Sequence, residues 1–205
     1  MKIYDQKGLP NPMRVRVAAA EKGLTERIEF VPVDVLGGEH KQPAYLAINP
    51  GGFVPVLELD DGRRIVECAA ITEYLDHLTG APTLTGRTPE ERAEISMRQR
   101  QAEADALDAV AAYFHHATPG LPTDAGMETF PAWGEAQKRR AERAFEGFDA
   151  LLRTRDHLAG AAFSVADITL AAALVFADFA KIEIPERLSA LHAWRNRVTA
   201  RPSFA

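Results

Sequence analysis

One change of hydrophobic period, near residue 80, constrains the fold of this chain more than any other feature. Before it, short alternating or β-branched runs are interleaved with helical patterns; after it, apolar residues recur only at helical spacing. Lys2–Asp5 reads as a short strand, stopped by Gly8-Leu9-Pro10-Asn11-Pro12. A helix follows over about 12–22, with proline accepted in its first turn and Gly23 as its left-handed stop. Residues 28–35 are rich in β-branched side chains and form a second strand, where Pro32 demands an edge position or a bulge. Residues 54–59 and 64–66 flank Asp60-Asp61-Gly62-Arg63, a tight-turn signal that makes them antiparallel neighbours. Ile71, Tyr74, Leu75 and Leu78 then fall at i, i+3, i+4 and i+7, the pattern of an amphipathic helix. The order is β-α-β, a connector with a helical turn near 44–48, then β-β-α, which suits a small mixed sheet covered by helices.

Beyond the turn-rich residues 79–86 no strand pattern appears. Residues 89–116 place Met97, Ala104, Leu107, Val110, Ala111 and Phe114 at helical spacing, and 134–158 do the same with Ala141, Ala144, Phe145, Phe148 and Leu152. Thr118-Pro119-Gly120-Leu121-Pro122 cannot continue a helix and separates the two. Ser164-Val165-Ala166-Asp167 opens a nearly uncharged helix in capping-box fashion, which places that helix at the centre of the core. The 205 residues therefore divide into a mixed α/β part over 1–79, a linker over 80–87 and an all-α part over 88–205.

Charge and cysteine usage narrow the function classes. With 24 basic against 29 acidic residues and no polybasic run, the chain lacks the footprint of a nucleic-acid binder. The N-terminus has no apolar signal-peptide core, and no window approaches the roughly 20 apolar residues of a membrane span. The lone Cys68 excludes an internal disulfide, so a cytoplasmic location is expected. The adjacent His115 and His116 point about 100° apart on a helix, so no paired metal ligands are expected.

Two stretches carry possible chemistry. In Gly51-Gly52-Phe53-Val54-Pro55-Val56-Leu57 the proline stands where a strand begins. A cis Val54–Pro55 bond would turn the N–H and C=O of Val54 outward for an extended peptide ligand, whereas a trans bond is an ordinary strand start. Glu67-Cys68 opens a helix whose first amides lack partners and could dock a carboxylate, with Glu67 meeting an ammonium; the plain alternative is an acid favoured by the helix dipole.

Together with Asn49-Pro50 before them and Ala69-Ala70-Ile71-Thr72-Glu73-Tyr74-Leu75 after them, these residues resemble the glutathione-site stretch of the cytosolic glutathione transferases. Leu9-Pro10-Asn11-Pro12-Met13-Arg14-Val15-Arg16 with Ala20-Glu21-Lys22-Gly23 resembles that family's first helix, Phe163-Ser164-Val165-Ala166-Asp167 its capping segment, and Arg201-Pro202-Ser203 its closing motif. The resemblance implies a thioredoxin-like N-terminal domain, an all-helical C-terminal domain, a cis Val54–Pro55 bond and a homodimer. It implies that Val54 and Pro55 receive the cysteinyl part of glutathione, Glu67 and Cys68 the γ-glutamyl head, and His40 or Lys41 the glycyl carboxylate. By the same carry-over Leu9, Tyr113, Phe114 and His116 would face a hydrophobic electrophile. Glutathione is then a co-substrate, with no metal or redox cofactor required.

The family's usual thiol-activating serine is Leu9 here, which cannot donate, and Tyr4 falls short of the position of the catalytic tyrosine in other classes. Asn11 has an amide N–H to offer a thiolate and is the candidate catalytic residue, the alternative being a plain helix-start residue. Cys68 replaces the usual serine after Glu67, and a helix N-terminus lowers a thiol pKa, which leaves thiol exchange through Cys68 open. The expected activity is conjugation of glutathione to a hydrophobic electrophile; the alternatives are a non-catalytic glutathione-binding or scaffold protein and a thiol-exchange enzyme.

Overall fold

The computed structural model describes all 205 residues. Strand β1 (Lys2–Asp5) is followed by helix α1 (Pro10–Glu21), β2 (Glu29–Pro32), a short α2 (Pro43–Leu46), the hairpin β3 (Val56–Glu58) and β4 (Arg64–Ile65), and α3 (Cys68–His77). The sheet order is β2-β1-β3-β4, with β1 parallel to β2 and antiparallel to β3. Ile3 opposite Leu57 puts both apolar side chains on the face covered by α1 and α3, where Val15, Ala19, Ile71 and Leu75 bury them. Val56 points the other way, onto Val33 and Tyr45.

The second strand is shorter than its β-branched run. Pro32, paired with Asp5, is the last residue of β2, and β2 lies at the sheet edge, where the missing N–H costs no ladder bond. The hairpin is antiparallel as expected, with its turn closed by Arg63 donating its N–H to Asp61.

The second half is helical throughout: α4 (Pro89–Gln101), α5 (Asp108–Ala117), α6 (Pro131–Leu152), α7 (Val165–Phe179) and α8 (Ser189–Thr199). Thr88 and Glu91 cap α4 reciprocally. The run expected as one regular helix over 89–116 is continuous but passes through a π-helical segment, Ala102–Leu107, between α4 and α5. The wider winding resets the buried face: Ala102, Ala106 and Ala109 are enclosed, and Met97, expected in the core, is exposed.

Helix α7 is the core of this half, with Leu170, Ala171, Ala172, Ala173 and Leu174 all buried. Its first turn is held by Asp167, which accepts hydrogen bonds from Ser164 N–H and Oγ, from Leu158 N–H and from the Trp194 indole. The two halves meet where Val17 and Ala18 of α1 enter the helical core. Two polar clasps form at the end of α1, one across this contact and one to α3 and the linker. Arg201 and Ser203 donate to Glu21, and Lys22 pairs with Asp76 while donating to the carbonyl of Ala81. The Glu21–Arg201 pair holds the Glu21 carboxyl below its usual pKa and raises that of Arg201.

Candidate functional site

The loop after β1 is set by an ion pair. Arg16 of α1 binds the buried carboxylate of Asp5 through two nitrogens, at 2.6 and 2.8 Å, and lies over the ring of Phe30. Asp5, at the position nearest the tyrosine of other classes, is thereby committed to structure, and Tyr4 turns its hydroxyl toward Glu58. Gly8, at φ 94°, then reverses the chain into α1, whose first turn presents Leu9, Pro10 and Asn11.

A cleft of about 510 Å³ opens beside this turn, between the two halves of the molecule. On the sheet side its walls include Leu9, Asn11, His40, Lys41, Phe53 and Val54. The Val54–Pro55 peptide is cis, and the N–H and C=O of Val54 take no part in the backbone hydrogen-bond network. Gly52, at φ 61°, makes this approach possible: a Cβ there would lie 3.0 Å from the His40 carbonyl and 3.2 Å from Lys41 Nζ, which donates to the Gly52 carbonyl. Tyr45 and Asn49 fix the same turn by donating to the carbonyl of Phe53. His40 is buried with its Nδ1 unpartnered, and burial, with the neighbouring Lys41 charge, lowers its pKa.

On the helical side the cleft is walled by Phe114 and His115 of α5, Leu121 and Asp124 of the following loop, and Phe176 and Phe179 of α7. Phe114 packs at 5.5 Å from Phe176 and 5.3 Å from Phe179, ring centre to ring centre, which makes an aromatic floor. His115 is held by Asp124 through a 2.6 Å contact from Nδ1 to Oδ2, and Asp124 also accepts the Leu121 N–H. A carboxylate-oriented imidazole in a cleft is a general-base arrangement.

The structure thus brings Asn11, His40, Lys41, Val54, Leu9 and Phe114 to one cavity and leaves other expected residues outside it. Tyr113 and His116, expected to face the electrophile, point elsewhere. Each is about 100° around α5 or more from Phe114; Tyr113 lies under Lys138, and His116 packs on Trp133 and accepts the Phe130 N–H. His115, Asp124, Phe176 and Phe179 were missed. In the sequence His115 carries no signal beyond its neighbour His116, and the two phenylalanines follow the core spacing of α7, although Phe179 is 53% exposed.

Pro55, Glu67 and Cys68 flank the cavity without lining it. Glu67, just before α3, adopts φ 70°, ψ 121°, a conformation costly for any residue with a Cβ, and no side chain caps the helix start it precedes. An activated thiol at Cys68, left open by the sequence, finds no support in its surroundings. The side chain is 7% exposed, its sulfur donates to the backbone carbonyl of Asn11 at 3.4 Å, and burial, opposed only in part by Arg14, pushes its pKa up to about 11. Desolvation outweighs the helix N-terminus.

Comparison with known proteins identifies the two halves of the molecule. Residues 10–78 match the family model of the glutathione S-transferase N-terminal domain, and residues 131–197 that of the glutathione S-transferase C-terminal domain. The chain is 49% identical over 203 residues to glutathione S-transferase 2 of Saccharomyces cerevisiae, covering 99% of this chain and 87% of that protein. The crystal structure of Gtt2 from the same yeast superposes with a TM-score of 0.96, covering all of this chain and 98% of the other at 49% identity. A glutathione S-transferase domain-containing protein of Marinobacter aquaeolei matches at 54% identity and TM-score 0.96 over the full length of both chains. The thioredoxin-like sheet domain, the helical domain and the cleft between them are accordingly those of a member of the glutathione S-transferase family, to which this chain belongs.

Proposed function

We propose that the protein conjugates the thiolate of glutathione to a hydrophobic electrophile held in the same cleft. One observation carries this reading: a single cavity joins the backbone of Val54, an unpartnered side-chain N–H at Asn11, a carboxylate-held imidazole at His115 and an aromatic floor. Glutathione would lie along Val54, its γ-glutamyl ammonium at Glu67 and its carboxylate on the first amides of α3, including that of Cys68. The glycyl carboxylate would reach Lys41 and His40. The Cys68 thiol contributes no hydrogen bond to the ligand, since it already donates to Asn11.

With Leu9 unable to donate, the thiol is stabilised as thiolate by the Asn11 amide, and His115, oriented by Asp124, takes its proton directly or through one water. The electrophile packs on Phe114, Phe176 and Phe179. Thiol exchange through Cys68 is disfavoured by its burial, and a non-catalytic binding protein rests on Leu9 alone. The molecule works without a metal or redox cofactor, as a homodimer, in the cytoplasm; no helix is long and apolar enough to cross a membrane.

Calorimetric titration with glutathione, followed by conjugation of an activated aryl halide, tests the reading. Binding with turnover, and loss of turnover in Asn11→Ala or His115→Ala, is expected. Failure to bind at millimolar glutathione would refute it, and binding without turnover across several electrophile types would replace it by the scaffold reading. Gel filtration at the 22.5 kDa of a single chain would refute the dimer.

A further inference from the structure

The carboxamide of Asn11 has two faces of opposite effect on a thiolate: its N–H stabilises the anion and its oxygen repels it. Nothing at the start of α1 chooses between them, because the N-cap is Leu9 and makes no side-chain bond. The choice is made one turn along the helix. Arg14 Nη1 donates to Asn11 Oδ1 at 3.3 Å, and a guanidinium, having only donors, can meet only the oxygen. The Asn11 Nδ2 is then left without a protein partner on the cleft wall.

Arg14 is itself held from the other half of the molecule. Its side chain is almost fully buried, and its Nη2 donates to Glu103 Oε1 at 2.8 Å. The second oxygen of Glu103 accepts from Arg100 at 3.0 Å, so both oxygens of the carboxylate are engaged. Glu103 belongs to the π-helical segment, whose winding resets the faces of the helix beside α1. Cys68 secures the same residue from the opposite side, through the Asn11 carbonyl.

We infer that Arg14 and Glu103 form a positioning pair that holds the Asn11 carboxamide with its N–H toward the glutathione sulfur, so that the thiol is activated only when the helical half is docked on the sheet half. The inference rests on the reading of Asn11 as the thiolate donor. Neither Arg14 nor Glu103 touches the reacting atoms; both act through Asn11.

The test is the pKa of the enzyme-bound glutathione thiol, read by ultraviolet absorption of the thiolate across a pH series. Wild type is compared with Asn11→Ala, Arg14→Met, Glu103→Gln and the Asn11→Ala/Arg14→Met double variant. Arg14→Met should lower the thiolate fraction on the acid side by roughly two- to tenfold, the range for one hydrogen bond. Glu103→Gln, which keeps the shape of the side chain, should give a smaller drop in the same direction and serves if Arg14→Met does not fold. In the Asn11→Ala background Arg14→Met should have no further effect. An equal shift in both backgrounds would overturn the inference, since a bare charge effect of Arg14 would then suffice, and so would no shift at all. If Asn11→Ala itself leaves the thiol pKa unchanged, the donor role fails first and the positioning role with it.

Discussion

Replacing Asp76 by asparagine takes one charge out of the joint between the two halves. Asp76, fully buried near the end of α3, accepts hydrogen bonds from the N–H groups of Thr83 (3.0 Å), Leu84 (3.1 Å) and Thr85 (2.8 Å) and from the Thr85 hydroxyl (2.6 Å), and pairs with Lys22 at 2.9 Å. Burial alone would raise its pKa, but these bonds together bring it down from 3.8 to about 2. A shift of that size is worth about 2 kcal/mol of stability. Because the folded state holds the proton less tightly than the unfolded one, the contribution is complete above the unfolded pKa and is lost as pH falls toward the folded value.

Asparagine keeps the shape but leaves the buried Lys22 ammonium without its counter-charge, for which a cost of about 3–5 kcal/mol is expected. Urea denaturation of wild type and Asp76→Asn near neutral pH measures that gap. Other carboxylates titrate alike in both proteins, so the gap should narrow by about 1 kcal/mol from about pH 5 to about pH 3, as wild type loses roughly half of the linked term. Adding Lys22→Met to Asp76→Asn should recover part of the loss. A gap below about 1 kcal/mol, or one indifferent to acid, would refute the reasoning.

Three further outcomes are expected. Phe179→Ala should raise KM for an aryl electrophile several-fold with little change in the glutathione Kd, while Tyr113→Ala leaves both alone; equal effects in steady-state kinetics would remove the aromatic floor from the substrate site. Native Cys68 should react with a thiol reagent near pH 8 about a hundredfold or more slowly than free cysteine, because a pKa of about 11 leaves little thiolate, and labelling at the free-thiol rate before unfolding would contradict its burial. Glu67→Gly should escape the loss of about 0.5–1 kcal/mol usual for glycine, since φ 70° is strained for glutamate, yet weaken glutathione binding about tenfold or more. A variant that is destabilised but binds normally would reverse both assignments.

Residues whose function follows from local chemistry were legible in the chain. Pro32 announced an edge strand, Asp61-Gly62 a hairpin, and Ser164 with Asp167 a helix start; each depends on backbone freedom or on partners within a few residues. Asn11, His40, Lys41 and Val54 were found because they belong to, or lie near, contiguous motifs. His115 with Asp124, and Phe176 with Phe179, carry no such signal, since they reach the cleft from separate elements. Cys68 shows the converse: proximity to a helix N-terminus left a reactive thiol open, and burial, with the sulfur donating to the Asn11 carbonyl, pushes its pKa up instead.

The sequence by itself determined the two-part architecture, because a period of two residues and a period near 3.6 cannot bury the same apolar set, and it determined the turn at Val54-Pro55, the capped central helix and the family. Which side chains share the cleft was decided by tertiary structure alone. The Ala20-Glu21-Lys22-Gly23 stretch looks like an ordinary helix end, yet Glu21 finds Arg201 only when both halves are in place, and Lys22 finds Asp76 only when α1 and α3 are packed together. The same docking sets Glu103 against Arg14 and the aromatic floor opposite Val54. Such contacts join residues up to 180 positions apart, and no local pattern encodes a meeting that only the folded chain can bring about.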